Sequence, residues 1–197
     1  SLQTGDTLLT GSDGAASLEF RDGSRVLLQA DSELRMDTLS AYGPTRFADT
    51  RIHLQQGRVE SQIKSRTGAG PRYEISTPAA ASAVRGTRYR IGMDPAAATA
   101  RTEVLEGTVA FEGHRTTRTV KRGFGTLAEI GQAPLPPVPL LPPPKLGERP
   151  PVVTRWPVQL NFFPLKGAVA YRAQVVPADP FKALLLDTLL PALKSDD

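Results

Sequence analysis

The stretch ISTPAAASAVRGTRYRI, residues 75–91, carries the most specific pattern in the chain. An alternating apolar strand ends at Thr77-Pro78, small residues follow from Ala79 to Ala83, and Val84-Arg85-Gly86-Thr87 leads into a second strand at Tyr89. The small residues allow two backbones to approach closely, and Gly86 permits a backbone angle that a side chain would forbid. We therefore expect this stretch to organise a β domain.

Arg85 is the residue of this stretch with the most chemistry to offer. Its guanidinium can donate a forked pair of hydrogen bonds, so we expect it to reach partly buried carbonyls or a carboxylate. Glu103 or Glu106 would supply that carboxylate if the strand TEVLEG pairs beside it. The alternative is that Arg85 binds an anionic ligand, and a structural role is favoured over it.

The residues before this stretch predict a β-hairpin. AASLEF (15–20) and RVLLQA (25–30) alternate apolar and polar residues on either side of Asp22-Gly23. An Asp-Gly pair between such runs favours a type I′ turn, because both central positions need a positive φ. The buried face of this hairpin would consist of Leu18, Phe20, Val26 and Leu28.

The alternation continues as far as residue 130. Further strands are predicted at 33–39, 50–63, 72–78, 87–93, 101–113 and 125–130. Two of them share one pattern, since Leu54, Gly57 and Val59 are matched by Leu105, Gly107 and Val109. Short strands with regularly placed glycines predict an all-β fold, a curled or solenoid-like β-sandwich. No window before residue 131 shows a helical period over three turns.

Proline marks the boundary after this domain. Residues 1–131 are predicted to form the β domain, and the densest run of prolines follows in residues 132–157. Such a run disfavours both sheet and helix and is typical of a semi-rigid polyproline II spacer. The alternative is a ligand for a proline-recognition domain.

Residues 158–197 are predicted to begin a second β domain. They show strand, turn and strand, and then FKALLLDTLLPAL (181–193), which is either a short amphipathic helix or a strand whose partners lie beyond Asp197. About forty residues cannot complete a β-sandwich, which takes roughly 100. We therefore expect a truncated domain whose apolar edges favour domain swapping or dimerisation.

The composition limits the possible functions. The absence of cysteine excludes disulfides, Cys-ligated zinc and a cysteine nucleophile. Aromatic residues make up 6% of the chain and form no stacking motif with basic residues, which argues against nucleic-acid binding. No signal peptide is visible, and no apolar run approaches the roughly 18–20 residues of a membrane span. The net charge of +4 is interpreted as scattered solvent-facing residues rather than a surface for an anionic polymer or lipid.

The residue types that carry catalysis are not arranged for it. His53 lies in an alternating strand, His114 follows a turn glycine, and neither has a carboxylate at a metal-ligand spacing. Glu103 and Glu106 are expected on opposite faces of one strand, which disfavours a catalytic pair. The chain is therefore expected not to be an enzyme and to have no catalytic residue, cofactor or metal.

With its neighbouring strands, the 75–91 stretch resembles the FecR domain. That family's signature has Thr-Pro, a small or apolar run and Val-Arg-Gly-Thr before an aromatic residue, and RTEVLEGTVAF (101–111) supplies the Val-x-x-Gly-x-Val that comes after it. Residues 5–34 and 54–63 also match the family's opening strands, so the resemblance covers most of residues 1–131. Residues 162–181 look like the first strands of a fibronectin type III-like domain.

The resemblance implies a place in the cell envelope. Well-understood family members are inner-membrane regulators of iron uptake, with a cytoplasmic anti-sigma segment, one membrane span and this domain in the periplasm, where it receives a signal from an outer-membrane receptor. The proline-rich linker instead resembles a secreted or periplasmic arrangement, often with a peptidoglycan-binding LysM module upstream. The motif residues expected to have a structural role or to contact a partner are Thr77, Pro78, Val84, Arg85, Gly86, Thr87 and Tyr89.

These patterns support three functional hypotheses. The preferred one is a non-catalytic protein-binding or scaffolding module in the periplasm or on the surface of a Gram-negative bacterium, with another envelope protein as its partner. The second is a signal-relay domain of the FecR iron-regulator type. The third is a cell-wall glycan-binding module that uses a basic face.

Overall fold

The computed structural model describes residues 1–42, 47–65, 73–147, 161–176, 178–179, 181 and 186–192. All regular elements in these ranges are strands, which confirms the predicted all-β class. The strands are β1 (Thr7–Leu9), β2 (Ala16–Glu19), β3 (Arg25–Leu28), β4 (Glu33–Tyr42), β5 (Phe47–Gln62), β6 (Tyr73–Ser76), β7 (Ala81–Val84), β8 (Arg88–Asp94), β9 (Thr99–Glu106), β10 (Thr108–Gly113), β11 (Thr116–Lys121), β12 (Phe124–Glu129), β13 (Val138–Pro139), β14 (Ala170–Val175) and β15 (Leu186–Pro191). Within the described residues, no helix has the length and apolar character needed to cross a membrane.

The chain divides into two compact units. The first comprises Ser1–Leu140 together with Val176–Leu184, and the second comprises Leu141–Val175 and Leu185–Asp197. The first unit therefore extends past residue 131, where the sequence places the domain boundary, and it includes a segment from near the C-terminus.

Strand β5 divides the first unit into two sheets. Its first half pairs with β4 and β6, whereas its second half, from Gly57 onward, pairs with β3 and β8. The front sheet is defined as β1, β4, the first half of β5, β6, β7, β10 and β11, and the back sheet as β2, β3, the second half of β5, β8, β9, β12 and β13. Because one strand belongs to both, the sheets form a single curled, open half-barrel.

The core lies between the two sheets. Buried side chains of the front sheet, such as Ile75 and Phe111, form one cluster with those of the back sheet, such as Val59 and Ile91. These residues occupy alternate positions, because successive side chains of a strand point to opposite faces. Burying one side chain of this size contributes about 1.5–3 kcal/mol relative to leaving it exposed. The apolar alternation in the sequence therefore marks the inward face of each sheet.

The chain passes between the sheets at glycines with a positive φ. The four glycines and their φ angles are Gly57 (92°), Gly86 (67°), Gly107 (78°) and Gly123 (80°). Gly57 lies inside β5, and the other three lie between β7 and β8, between β9 and β10, and between β11 and β12. The pattern shared by residues 54–59 and 105–109 is thus explained, because each copy contains one crossing glycine.

The later crossings are stacked on one another. The Ile63 N–H donates to the Thr87 carbonyl at 2.9 Å, and the Arg122 N–H donates to the Gly107 carbonyl at 3.1 Å. Between these two bonds, the Thr87 hydroxyl donates to the Thr108 carbonyl at 3.0 Å. These contacts, termed the crossing stack, hold successive passages of the chain at one edge of the half-barrel.

The hairpin of β2 and β3 forms as predicted, but its turn is of another type. Gly23 has a positive φ of 79° and Asp22 does not, whereas a type I′ turn needs two such residues. The Gly23 N–H donates to the Phe20 carbonyl at 2.8 Å, and the Phe20 N–H donates to the Ser24 carbonyl at 2.9 Å. These bonds describe a three-residue loop with a bulge at glycine. The type I′ prediction is wrong because the Asp22 carboxylate instead accepts the Ser24 N–H at 2.8 Å.

Part of the proline-rich segment joins the back sheet. Val138–Pro139 pair with β12, and the Leu140 N–H donates to the Gly123 carbonyl at 2.8 Å. The prediction that this segment stays out of a sheet is wrong for these residues, because at an edge a proline nitrogen faces away from the ladder. Residues 148–157 lie outside the described residues, and the spacer remains a prediction there.

The second unit contains a two-stranded antiparallel sheet of β14 and β15. The Arg172 guanidinium donates to both carboxylate oxygens of Asp187, at 2.6 and 2.5 Å. Because residues 186–191 form a strand, the described part of 181–193 follows the strand alternative rather than the helical one. This strand pairs with β14, which precedes it in the chain.

Candidate functional site

The first half of the 75–91 stretch forms a hairpin of the front sheet. The Thr77 N–H and hydroxyl both donate to the Ala80 carbonyl at 2.8 Å. The same hydroxyl oxygen accepts the N–H groups of Ala79 and Ala80, at 3.3 and 3.0 Å. Pro78 takes the first turn position, for which its fixed φ is suited. Thr77 and Pro78 therefore serve the geometry of this turn.

The second half carries the chain into the back sheet. A Cβ atom on Gly86 would lie 2.5 Å from the Cβ of Ser65 and 2.8 Å from its Cα, so the position has no room for a side chain. Thr87 is buried and makes the central bond of the crossing stack. Gly86 and Thr87 are thus fixed by close backbone contact.

Two buried tyrosines connect the sheets. The hydroxyl of Tyr89 in the back sheet lies 3.1 Å from that of Ser82 in the front sheet. The hydroxyl of Tyr73 in the front sheet lies 3.4 Å from that of Ser61 in the back sheet. Burial raises the pKa of both phenols, so both stay neutral. The motif tyrosine therefore supplies a polar link across the core.

Arg85 lies on the surface. Its side chain is exposed at the crossing, whereas the preceding Val84 is packed in the core. Strand β9 does pair beside β8, but there the Glu103 carboxylate lies 3.5 Å from the guanidinium of Arg90. Glu103, one of the two carboxylates proposed for Arg85, is thus paired with Arg90, and the Arg85 side chain lies at the surface.

An ionic network lies on the outer face of the back sheet. Glu60 is only 6% exposed, and its Oε1 accepts Nε and Nη2 of Arg88 at 3.0 and 2.7 Å. Its other oxygen accepts Nε of Arg90 at 3.0 Å. Glu60, Arg88, Arg90 and Glu103 are termed the back-sheet network.

The network keeps Glu60 ionised. Burial alone would raise the pKa of this carboxyl, but the attraction of Arg90 and the hydrogen bonds from both arginines outweigh burial and lower the pKa below its ordinary value. Burial of Arg90 likewise acts to lower its pKa, and the carboxylates of Glu60 and Glu103 raise it. The outer face therefore holds fixed charges of both signs.

A segment from near the C-terminus lies on the same face. The Asp179 carboxylate is 2.7 Å from Nη1 of Arg25, and the Ser17 hydroxyl donates to the Phe181 carbonyl. The guanidinium of Arg88 lies over the Phe181 ring, 6.0 Å from its centroid, and Phe181 is 4% exposed. An aromatic side chain distant in sequence is thus buried against the back-sheet network.

A cleft opens between the two sheets near the N-terminus. Its volume is about 550 Å³, and its apolar lining includes Leu2, Leu18, Phe20, Met36 and Leu39. That volume is within the range of small-molecule sites, roughly 300–1,000 Å³. The lining of this cleft is mainly apolar, so it offers shape rather than reactive groups.

Histidine and carboxylate groups are dispersed. Nδ1 of His53 lies 3.0 Å from the Ser76 hydroxyl, and His114 lies exposed in the turn after β10. Among the described residues, no group of three or more His, Asp or Glu side chains could hold a metal ion.

Comparison with protein families identifies the first unit. Residues 6–110, more than half of the chain, match the family described as FecR protein. The chain belongs to the FecR protein family. The matched FecR region includes the motif stretch, the crossings at Gly57, Gly86 and Gly107, and the whole back-sheet network. Comparison with curated proteins gives no match.

Solved structures share the fold of this FecR chain. Two crystal structures of a "putative anti-sigma factor" from Parabacteroides distasonis ATCC 8503, at 2.50 and 1.65 Å resolution, match with TM-scores of 0.57 and 0.54. Both are 12% identical in sequence, and each comparison covers 68% of this chain and 59% of the solved chain. The chain thus spans about three fifths of the length of these structures, and the likeness is one of fold.

Sequence reasoning missed the back-sheet network and the Phe181 contact in this FecR domain. Glu60 and Arg90 lie directly opposite each other once the register of β5 and β8 is known, and both positions alternate with buried apolar residues. That alternation was a usable signal for an outward-facing charge pair. Nothing local to Phe181 indicates a partner more than 90 residues away, as Arg88 is.

Proposed function

We propose that the chain is a signal-relay domain that acts by binding another protein. Its membership of the FecR family carries this proposal. The fold it shares with chains described as anti-sigma factors supports the same regulatory role. A relay of this kind needs a rigid body and an exposed recognition surface. The crossing stack supplies the first, and the exposed side chain of Arg85 marks the second.

The proposed setting is the cell envelope of a Gram-negative bacterium, in the periplasm or at the cell surface. Another envelope protein is the proposed partner, and an iron-uptake receptor is the specific case that the family resemblance suggests. Arg85 is the proposed contact within the motif, because it is exposed beside a crossing that backbone contacts hold in place.

The test is competition in the bacterium that encodes the protein. The chain, expressed in excess in the envelope, should occupy the partner and change the transcripts controlled by one sigma factor. Arg85→Glu should weaken that effect, whereas Arg115→Glu, which changes another exposed arginine in the turn after β10, should not. Unchanged transcripts with a stable, envelope-located chain would contradict relay and favour a scaffolding role.

A scaffolding or protein-binding role is the second candidate, and the exposed Arg85 at the motif crossing supports it as well. It differs from relay in predicting a bound partner without any transcriptional effect. Cell-wall glycan binding, either directly or through an upstream module of the LysM type, is the third candidate. Sedimentation with purified peptidoglycan distinguishes it from the other two.

The second unit carries two further proposals. A fibronectin type III-like domain is proposed to begin at residue 158, and the β14–β15 hairpin supports it. Self-association through this unit is also proposed, because Leu186 and Leu189 of β15 are 50% and 66% exposed. Sedimentation of the unaltered chain and of the Leu189→Lys variant measures this self-association. The lysine should lower any dimer fraction.

A further inference from the structure

The outer face of the back sheet is unusual because a leucine and a carboxylate on it are buried. In β3, Val26 and Leu28 point into the core, so the intervening Leu27 faces outward, yet it is only 5% exposed. Its neighbour across the pair with β5 is Glu60, which is buried as well. An outward-facing leucine and a buried carboxylate require a cover on this face.

Asp179 and Phe181 contact this face. Ser17, Leu27, Glu60 and Arg90 occupy one row across β2, β3, β5 and β8, as the strand registers show. Phe181 is bonded through its carbonyl to Ser17 at one end of this row, and its ring lies under Arg88 of the back-sheet network at the other. The phenylalanine is therefore positioned across the row.

Three chemically different contacts hold the segment. Arg25 forms an ion pair with the Asp179 carboxylate, and the Ser17 hydroxyl donates a hydrogen bond to the Phe181 carbonyl. The guanidinium of Arg88 lies over the face of the Phe181 ring. A cation over an aromatic ring and a charged hydrogen bond are both directional contacts. Together they select a carboxylate and, two positions later, a phenylalanine.

We propose that this outer face is a binding surface for a protein segment with the pattern Asp-x-Phe, and that Asp179 and Phe181 occupy it as an internal ligand, which such a partner displaces. The basic side chain of Arg25 complements the acidic residue of the segment, and that of Arg88 faces its aromatic ring. The inference stands apart from the relay role, since it depends only on what this face recognises.

The ion pair that anchors the internal ligand is weak. The side chains of Arg25 and Asp179 are 32% and 26% exposed, so solvent screens their attraction. The tether to the rest of the chain favours the internal segment by raising its effective concentration to the millimolar range, on the order of that for a short linker. A segment from another protein must therefore compete with the tethered internal segment. Removing the anchoring side chains of Asp179 and Phe181 removes that competition.

The test uses the full chain and a labelled peptide of its residues 174–183, QVVPADPFKA. The double variant Asp179→Ala/Phe181→Ala should bind this peptide about tenfold or more tightly than the unaltered chain, because the tethered competitor is gone. The matched control Asp13→Ala/Phe163→Ala changes the same residue types at exposed positions and should bind as the unaltered chain does. A peptide with Asn and Ala at the two anchoring positions should not bind.

Asp179→Asn keeps the shape of the segment and serves if the double variant does not fold, as judged by circular dichroism. It should bind the peptide more tightly than the unaltered chain by a smaller factor. No gain in affinity with either folded variant would overturn the proposal. A dimer of the unaltered chain that dissociates in these variants, seen by sedimentation, would overturn it by assigning the segment to a second copy.

Discussion

The crossings at Gly86 and Gly123 perform the same task in different surroundings. Both carry the chain from the front sheet to the back sheet, with φ of 67° and 80°. At Gly86 an added Cβ would lie 2.8 Å from the Cα of Ser65, whereas at Gly123 it would meet no atom within 4 Å. The motif crossing is therefore constrained in both backbone angle and space, and the other in angle alone.

The residues after each glycine also differ. Gly86 is succeeded by the buried Thr87 and then by Arg88, which holds Glu60. Gly123 is succeeded by Phe124, whose side chain is 38% exposed. Both crossings require a glycine, but only the crossing at Gly86 also requires the particular residues that follow it. Each of these residues can be tested by its own substitution.

The largest effect is expected from Gly86→Ala. The methyl group meets the Ser65 backbone, and the positive φ adds strain, so the free energy of unfolding should fall by about 2–5 kcal/mol. Urea unfolding followed by circular dichroism measures this change. A loss no larger than that of Gly123→Ala would show that space at the motif crossing does not matter.

Glu60→Gln tests the network that begins one residue after Thr87. It leaves two arginines without their carboxylate, and the free energy of unfolding at neutral pH should fall by about 1–3 kcal/mol, reduced by solvent at the partly exposed arginines. Because the folded-state pKa of Glu60 lies below its ordinary value of 4.5, this stabilisation is present above that value and is lost as the pH falls through the folded-state pKa.

The Glu60→Gln variant and the unaltered chain should therefore have the same free energy of unfolding in acid. Measuring the free energy of unfolding of both chains from pH 7 to about pH 3 checks this expectation. Glu112→Gln, which changes an exposed residue of β10, is the control and should alter stability little. A constant difference across this range would mean that the charge of Glu60 is not the source of the effect.

Thr87→Val isolates the hydrogen bond at the centre of the crossing stack. The valine keeps the shape but leaves the Thr108 carbonyl without its donor, which should cost about 1–2 kcal/mol. Thr87→Ser retains the hydroxyl and should lose less stability. Thermal unfolding of the two variants therefore separates the contribution of the hydrogen bond from that of side-chain packing. Equal losses in the two variants would show that the methyl group of Thr87 contributes as much stability as its hydrogen bond.

Gly123→Ala should have the smallest effect, about 1 kcal/mol, because only the strain of a positive φ is added. Gly123→Asn should cost still less, since asparagine tolerates that conformation better. If the alanine variant proved as unstable as Gly86→Ala, the two crossings would not differ in the way that their surroundings indicate.

Much of the fold could be predicted from local patterns. Period-two alternation located the strands that bury Val26, Ile52 and Ile91, because the inward face of a sheet repeats every second residue. The paired glycines at 57 and 107 pointed to a curled sheet before any contact was known. Strand β7 was missed because its alanines and serine, from Ala81 to Val84, carry almost no hydrophobic contrast.

The candidate site was harder to predict than the fold. Motif spacing found Thr77, Gly86 and Thr87, whose roles depend on near neighbours in the chain. It did not find Arg88 and Arg90, which contact Glu60, and the predicted structural role of Arg85 stays a prediction. Which arginine meets a carboxylate depends on strand register and on the segment that covers the face, and neither is a local property of the sequence.

Strand β5 has a consequence for the order of assembly. Within the described residues, the pairing partners of β1 to β4 all belong to β1 to β5, so these five strands can assemble before β6 and β8 add to β5. Both later strands then add to β5 as a ready template, one on each half, and each loop closes over a modest sequence separation. We therefore expect mutations in the middle of β5 to slow folding, while mutations in β12 and β13 mainly speed unfolding.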